Sequence, residues 1–205
     1  MATESLEAKI KFITDNNCDG VFGSAYVDNG ETRTTKISRD FGKGENMANY
    51  ILSGGNAPTP THVYKRHSAV TVRWDESLER HQDYDFSIRF SEKNSFKPSQ
   101  SLTAIIHWTK SEKRNEHIES QLTFIKKHAD KLAPHIYNRY HRERYNSLAG
   151  RKDVSNEVML HYRKQGIKYA SFVSLADFDD LYPTNGLLFN KVLNRIRFVF
   201  KILLK

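Results

Sequence analysis

An α/β domain followed by a helical C-terminal region is the architecture this sequence predicts. Two observations carry the prediction. In the first half, strand-like apolar runs (DGVFGSAYV and LTAIIHW) alternate with helix-like periodicity, the pattern of a mixed α/β layer fold. From Asn115 onward only helical periodicity recurs.

The elements follow in chain order. Thr3 caps a first helix with Leu6, Ile10 and Ile13 at i, i+4, i+7, and Asp15-Asn16-Asn17 ends it. Asp19 to Val27 reads as a buried strand. Asp28-Asn29-Gly30 is a turn signal, and Arg33 to Ile37 returns from it as a second strand. Glu45 to Leu52 is a short helix stopped by Gly54-Gly55. A two-proline loop, Ala57 to Pro60, leads into a short strand from Thr61 to Arg66. Trp74 to Arg80 is a turn, and Tyr84 to Lys93 a helix with Phe86 and Phe90 on one face. Lys97-Pro98 marks a loop before the strand Leu102 to Trp108. Asn115 to Ala133 is the best-patterned helix, with Ile118, Leu122, Ile125, Ala129 and Leu132 on one stripe. Pro134 ends or kinks it. Helix resumes through Tyr145 and again from Asp153 to Gln165, with Gly166 as the stop. Residues 1–110, 111–183 and 184–205 are the expected divisions: the α/β part, a helical extension and a tail.

Composition narrows the function classes. Of 205 residues, 38% are hydrophobic and 12% aromatic, enough to build a core and to exclude wholesale disorder. Lys plus Arg outnumber Asp plus Glu by 32 to 24, and the net charge of +8 favours anionic partners. A single cysteine, Cys18, excludes an intrachain disulfide and a Cys-rich zinc site, and fits a reducing compartment. Neither a signal peptide nor a transmembrane run is evident, so a cytoplasmic protein is expected.

The most informative segment runs from Trp74 to Phe86, with Arg89 beyond it. It puts Asp83 at the mouth of a helix and Asp85 in its first turn. Two readings of these carboxylates are open. They cap free N–H groups at the positive end of the helix dipole, or one of them is a general base facing an acceptor hydroxyl.

The stretch Ala57-Pro58-Thr59-Pro60-Thr61-His62-Val63-Tyr64-Lys65-Arg66, then Trp74-Asp75-Glu76-Ser77-Leu78, then His81-Gln82-Asp83-Tyr84-Asp85-Phe86 with Arg89, resembles the second half of a family 2 glycosyltransferase of the GT-A (Rossmann-like) fold. Leu6 to Ile13 and Asp19 to Ser24 resemble the helix and strand that follow the family's metal motif. The resemblance covers Met1 to about Arg89 and fades by Ala133. It implies that Asp83 is the catalytic base of an inverting transfer from a nucleotide-sugar donor to a surface-glycan acceptor. The usual Glu-Asp pair is here Gln82-Asp83; Asp85 then orients or caps, and Asp75 and Glu76 shape the turn. Thr61, His62 and Arg66 are the acceptor-side candidates. The family's divalent metal, Mn or Mg, sits on an Asp-x-Asp motif before the helix matching Leu6 to Ile13, and the five residues preceding Leu6 hold none. Asp83-Tyr84-Asp85 spells the motif but stands at the base position. The expectation is therefore the rear half of such a domain, with the nucleotide half lost or supplied by a partner. A non-catalytic glycan- or partner-binding module of the same ancestry is the alternative. A basic nucleic-acid-binding protein is the third.

Three further features have two readings each. His107 closes a strand, where it either serves as an extra metal ligand or is simply hydrogen-bonded. His135 to Tyr145 interleaves aromatics with arginines, as a single-stranded nucleic-acid surface does; a half-buried helix with Tyr137, Tyr140 and Tyr145 inward has the same pattern and is preferred, so no nucleic-acid partner is expected. Residues 186–205 carry five basic residues and no acidic one, with Leu188, Val192, Ile196, Val199 and Leu203 on one helical face. That suits either an in-plane helix on the inner face of an anionic membrane or a helix docked on its neighbours.

Overall fold

The computed structural model describes residues 2–108, 117–166 and 168. The chain divides into two compact units, Met1–Ile136 and Tyr137–Lys205. The boundary falls later than residue 110 because the helix after it seals the first unit with Phe124, Ile125 and His128, all buried.

The first unit is built on a four-stranded mixed sheet. Helix α1 (Ala2–Asp15) precedes the central strand β1 (Gly20–Asp28). Strand β2 (Arg33–Lys36) returns antiparallel through the Asp28-Asn29-Gly30 turn, where the Gly30 N–H donates to Asp28 Oδ1 (2.9 Å) and Gly30 takes φ +86°. Helix α2 (Met47–Leu52) starts on Asn46, whose side chain accepts from the Asn49 N–H. A 3₁₀ turn (Thr59–Thr61) leads to β3 (Val63–Tyr64), antiparallel to the start of β1. Helices α3 (Arg66–Val72) and α4 (Gln82–Ser91) follow, then β4 (Phe96–His107), parallel to β1 along its whole length. Helix α5 (Ile118–Lys127) and a 3₁₀ turn (Ala129–Lys131) complete the unit.

The core of this unit is aromatic. Phe22 of β1 meets Tyr50 edge-on at 5.4 Å and Phe96 at 4.8 Å, and Tyr64 stacks on Phe96 at 5.2 Å beside Phe86 and Phe90. Gly20 is what lets Tyr64 and Phe96 close over β1: a Cβ there would stand 2.8 Å from Tyr64 Cδ1 and 3.0 Å from Phe96 Cδ2. Gly20→Ala is expected to destabilise by ~1–3 kcal/mol through overpacking, read as a lower urea midpoint at unchanged slope.

The structure departs from the sequence pattern at four places. Leu6 and Ile10 are 49% and 52% exposed, and the face of α1 that packs runs through Lys9, Phe12 and Ile13, with the alkyl stem of Lys9 covering apolar surface. The strand expected from Thr61 to Arg66 shrinks to two residues, because Lys65 already precedes α3. Pro98 lies inside β4; this strand pairs only with β1 among the described residues, and an edge strand tolerates a residue with no N–H to give. The helix expected to reach Ala133 breaks at His128, whose ring is drawn into a buried charge cluster described below.

In the second unit α6, which begins at Pro134 and runs to Leu148, and α7 (Asn156–Gln165) carry a small core of Tyr137, Tyr140, His141, Leu148 and Tyr162. Of the three tyrosines expected to point inward, Tyr137 and Tyr140 are buried and Tyr145 is half-buried. The Tyr137 hydroxyl donates to Gln165 Oε1 at 2.9 Å. No helix among the described residues is long and apolar enough to cross a membrane. The tail helix expected over 186–205 and the linker before it lie outside the described residues.

Each unit holds a neutral histidine, half-buried in the first unit and fully buried in the second. His62 Nε2–H donates to Ala57 O (3.0 Å) while Nδ1 accepts from Tyr64 O–H (2.6 Å), and burial pushes its pKa down to about 4. His141 is fully buried with no hydrogen bond to either ring nitrogen among the described residues, and burial lowers it to about 3. Both values lie below the ~6.5 of an unfolded histidine. Their contribution to stability is therefore complete above that value and is lost as pH falls through the folded values, because only the unfolded chain gains the proton. Urea midpoints should fall from pH 6.5 toward 4, and His62→Gln should flatten that slope in the first unit.

Candidate functional site

The C-terminal ends of the parallel pair β1 and β4 open into a cleft of about 610 Å³. Such ends are where open α/β sheets hold ligands. Val27 and its β4 partner Ile106 form part of the floor, with Lys36 of β2 beside them. Residues 55–60 make one wall, and residues 79–84, leading into α4, make another. Trp74 and Trp108 also line it. The Trp108 N–H donates to Asp28 O at 2.7 Å, which fixes the end of β4 against the end of β1.

Asp83 stands in this lining, half-buried in the first turn of α4. Its Oδ2 accepts from the Thr59 hydroxyl at 3.0 Å, and its Oδ1 accepts from the Tyr84 N–H at 3.0 Å. No cation pairs with it among the described residues. The backbone just before it is held in the left-handed region: His81, at φ 64° and ψ 22°, sits at the N-cap of α4, and its ring stacks on Tyr84 at 4.9 Å. That conformation is costly for a residue with a Cβ. It turns the chain sharply so that the first turn of α4 begins at the cleft.

Asp85, two residues on, belongs to the scaffold. It is fully buried and accepts from Arg89 Nε (2.8 Å), Lys127 Nζ (2.8 Å) and His128 Nε2 (2.9 Å). Burial alone would raise its pKa; the hydrogen bonds from His128, Arg89 and Lys127 outweigh burial and hold it well below the usual carboxylate range. Arg89 also donates to the carbonyls of Val72 and Arg73 (2.7 and 2.8 Å), closing the end of α3. Asp75 joins through Lys127 (2.6 Å) and holds the turn through the Ser77 N–H and hydroxyl (3.1 and 2.6 Å); the Lys127 hydrogen bond, and after it those from Ser77, lower its pKa to about 2. Leu78, fully buried, anchors the same turn, and Trp74 stacks on Phe86 at 4.5 Å. One cluster thus fixes the turn, α4 and α5 around the cleft.

The remaining candidates fall in different places. Gln82 lines the cleft beside Asp83, whereas Glu76 is exposed in a shallow groove with Trp74, Asp75, Arg89 and Lys127. Thr61 is fully buried: its oxygen accepts from the Gly23 N–H (3.0 Å) and its hydroxyl donates to Pro58 O (2.7 Å), so it positions the 55–60 wall from behind. His62 packs in the aromatic core, and Arg66 is exposed at the start of α3; neither lines the cleft. His107 is exposed at the end of β4, in register with Asp28, and its neighbours Ile106 and Trp108 face the cleft instead. No group of three or more His, Cys, Asp or Glu side chains able to hold a cation occurs among the described residues.

Sequence reasoning missed Thr59 as the partner of Asp83, and Lys36 and Arg80 as cleft cations. Thr59 lay inside the motif-bearing stretch. Lys36 sits on a fully exposed strand that no local signal links to Asp83. No protein-family model matches the chain, and no curated protein matches it.

Proposed function

We propose that this chain is the acceptor-binding, base-bearing part of an inverting glycosyltransferase that uses a nucleotide-diphospho-sugar donor and a glycan acceptor. The observation that carries the reading is the position of Asp83: a carboxylate with no ion pair among the described residues, oriented by Thr59, in an aromatic-walled cleft at the ends of two parallel strands. A carboxylate engaged in a salt bridge is a poor proton acceptor, and this one is spared that while its neighbour Asp85 takes the cations. In the reaction an acceptor hydroxyl gives its proton to Asp83 as its oxygen bonds to the anomeric carbon of the donor. The bond from that carbon to the diphosphate breaks, its electron pair leaves with the nucleoside diphosphate, and the configuration inverts. Aromatic faces and a few polar groups around the cleft suit a ligand with both apolar C–H faces and hydroxyls.

The test is transfer of labelled sugar from a panel of nucleotide sugars to oligosaccharides, with Mn²⁺ present, by the chain and by Asp83→Asn. Transfer that the variant loses supports the reading. Transfer unaffected by the variant removes Asp83 as the base.

A further inference from the structure

Four charged side chains other than His81 line the cleft: Lys36, Glu79, Arg80 and Asp83. Glu79 is engaged, since His117 Nδ1 lies 2.7 Å from its Oε2. Neither cation meets a carboxylate among the described residues. The Lys36 ammonium lies 4.6 Å above the centroid of the Trp108 ring. Arg80 is fixed through its backbone, whose N–H donates to Ser120 Oγ (2.8 Å) and whose carbonyl accepts from the Ser120 hydroxyl (3.0 Å). Its guanidinium has neither an ion pair nor a hydrogen bond among the described residues. The backbone is thus set while the five N–H donors of the side chain stay available at the cleft.

We propose that the cleft takes an acidic saccharide, with Lys36 and Arg80 as its specificity-determining residues. The inference rests on the acceptor reading above and adds the ligand's charge to it. In formal charge the two cations balance Glu79 and Asp83, but neither cation is paired with a carboxylate among the described residues, so both can take an anionic group of a ligand. Small anions meet the repulsion of Asp83 as well as the attraction of the cations. A saccharide separates the two: a hydroxyl faces Asp83 while a carboxylate or phosphate on the same or the next ring reaches Lys36 or Arg80. The exposed rings of Trp74 and Trp108, 45% and 48% accessible, give the C–H faces of the sugar an apolar surface. The volume lies within the usual range for small-ligand sites.

The chain offers a direct probe. It has two tryptophans, and both line the cleft, so their fluorescence reports on this site. The experiment titrates the chain at low salt with a glucuronate-containing tetrasaccharide, a neutral tetrasaccharide of equal length, a phosphorylated oligosaccharide and a nucleoside diphosphate. The expected result is binding of an acidic saccharide at least tenfold tighter than the neutral one. Lys36→Gln and Arg80→Gln should each weaken it about five- to twentyfold without changing affinity for the neutral sugar, and 0.5 M salt should reduce the preference. The glucuronate and phosphate arms separate the two sources of negative charge. Equal binding of neutral and acidic sugars overturns the inference and leaves the acceptor reading standing. Binding of the nucleoside diphosphate alone, or of no saccharide, overturns both. Both substitutions fall on solvent-accessible side chains, and far-UV circular dichroism of each variant verifies the fold.

Discussion

Asp85→Asn should cost ~3–5 kcal/mol of stability, the usual penalty for removing one member of a buried charge cluster. The carboxylate is fully buried and is the common acceptor for Arg89, Lys127 and His128. An amide of the same shape leaves the Arg89 guanidinium facing a neutral group and puts an N–H₂ where donors already converge. Thermal or urea unfolding is the measurement, with a drop in midpoint of roughly 10 °C or more expected for a domain of this size. Lys127→Met should cost far less, about 1 kcal/mol, because its ammonium is one-third exposed and solvent screens it. The same cluster sets the acid limit. The folded pKa of Asp85 is depressed, so its stabilisation is complete above the unfolded value of about 3.9 and is lost as pH falls below it. In Asp85→Asn, stability between pH 4 and 2 should fall less steeply than in the parent. A variant whose midpoint equals the parent's would remove the cluster as the organiser of the turn, α4 and α5.

On the proposed glycosyltransferase reading, Asp83→Asn should lower transfer by ~10²–10⁴-fold, the range a positioned general base supplies, with stability changed by less than about 1 kcal/mol. The two aspartates stand two residues apart on one helix, yet their surroundings split their roles. Among the described residues Asp83, in the cleft lining, meets a hydroxyl and a backbone N–H; Asp85 is buried and meets three cationic or imidazole donors. The pair of substitutions therefore makes a cross-check. Loss of activity at Asp83 with stability kept, and loss of stability at Asp85, is the expected pattern. If Asp83→Asn instead unfolds the protein as Asp85→Asn does, Asp83 is a helix cap and the base assignment falls. Thr59→Val, which removes the donor to Asp83 Oδ2, should reduce transfer by a smaller factor and leave saccharide affinity unchanged.

Much of the scaffold was legible from short-range signals. The Asp28-Asn29-Gly30 turn announced the β1–β2 hairpin because only a few residues permit the left-handed backbone it needs. Gly166 marked the end of α7 for an equally local reason, whereas Pro134, read as ending or kinking the helix before it, stands at the first position of α6. The position of Asp83 and Asp85 at the start of a helix was also a matter of spacing. Those features depend on hydrogen bonds and dihedral preferences that act within about one helical turn or one hairpin.

What only the tertiary structure decided depends on residues distant in the chain. Three apolar residues of α1 suggested one stripe, but packing buries Ile13 together with Lys9 and leaves Leu6 and Ile10 outside. The periodicity of α5 runs past Lys127, yet a buried carboxylate 43 residues earlier holds His128 and ends the helix there. The cleft itself joins β2, the two-proline loop, the start of α4 and the end of β4. Local sequence determined most of the elements, though not α3 or the extent of β3 and β4, and put two carboxylates on one helix. Packing, which pairs groups by distance rather than by order in the chain, decided that Asp85 would be neutralised and Asp83 left open beside Lys36 and Arg80.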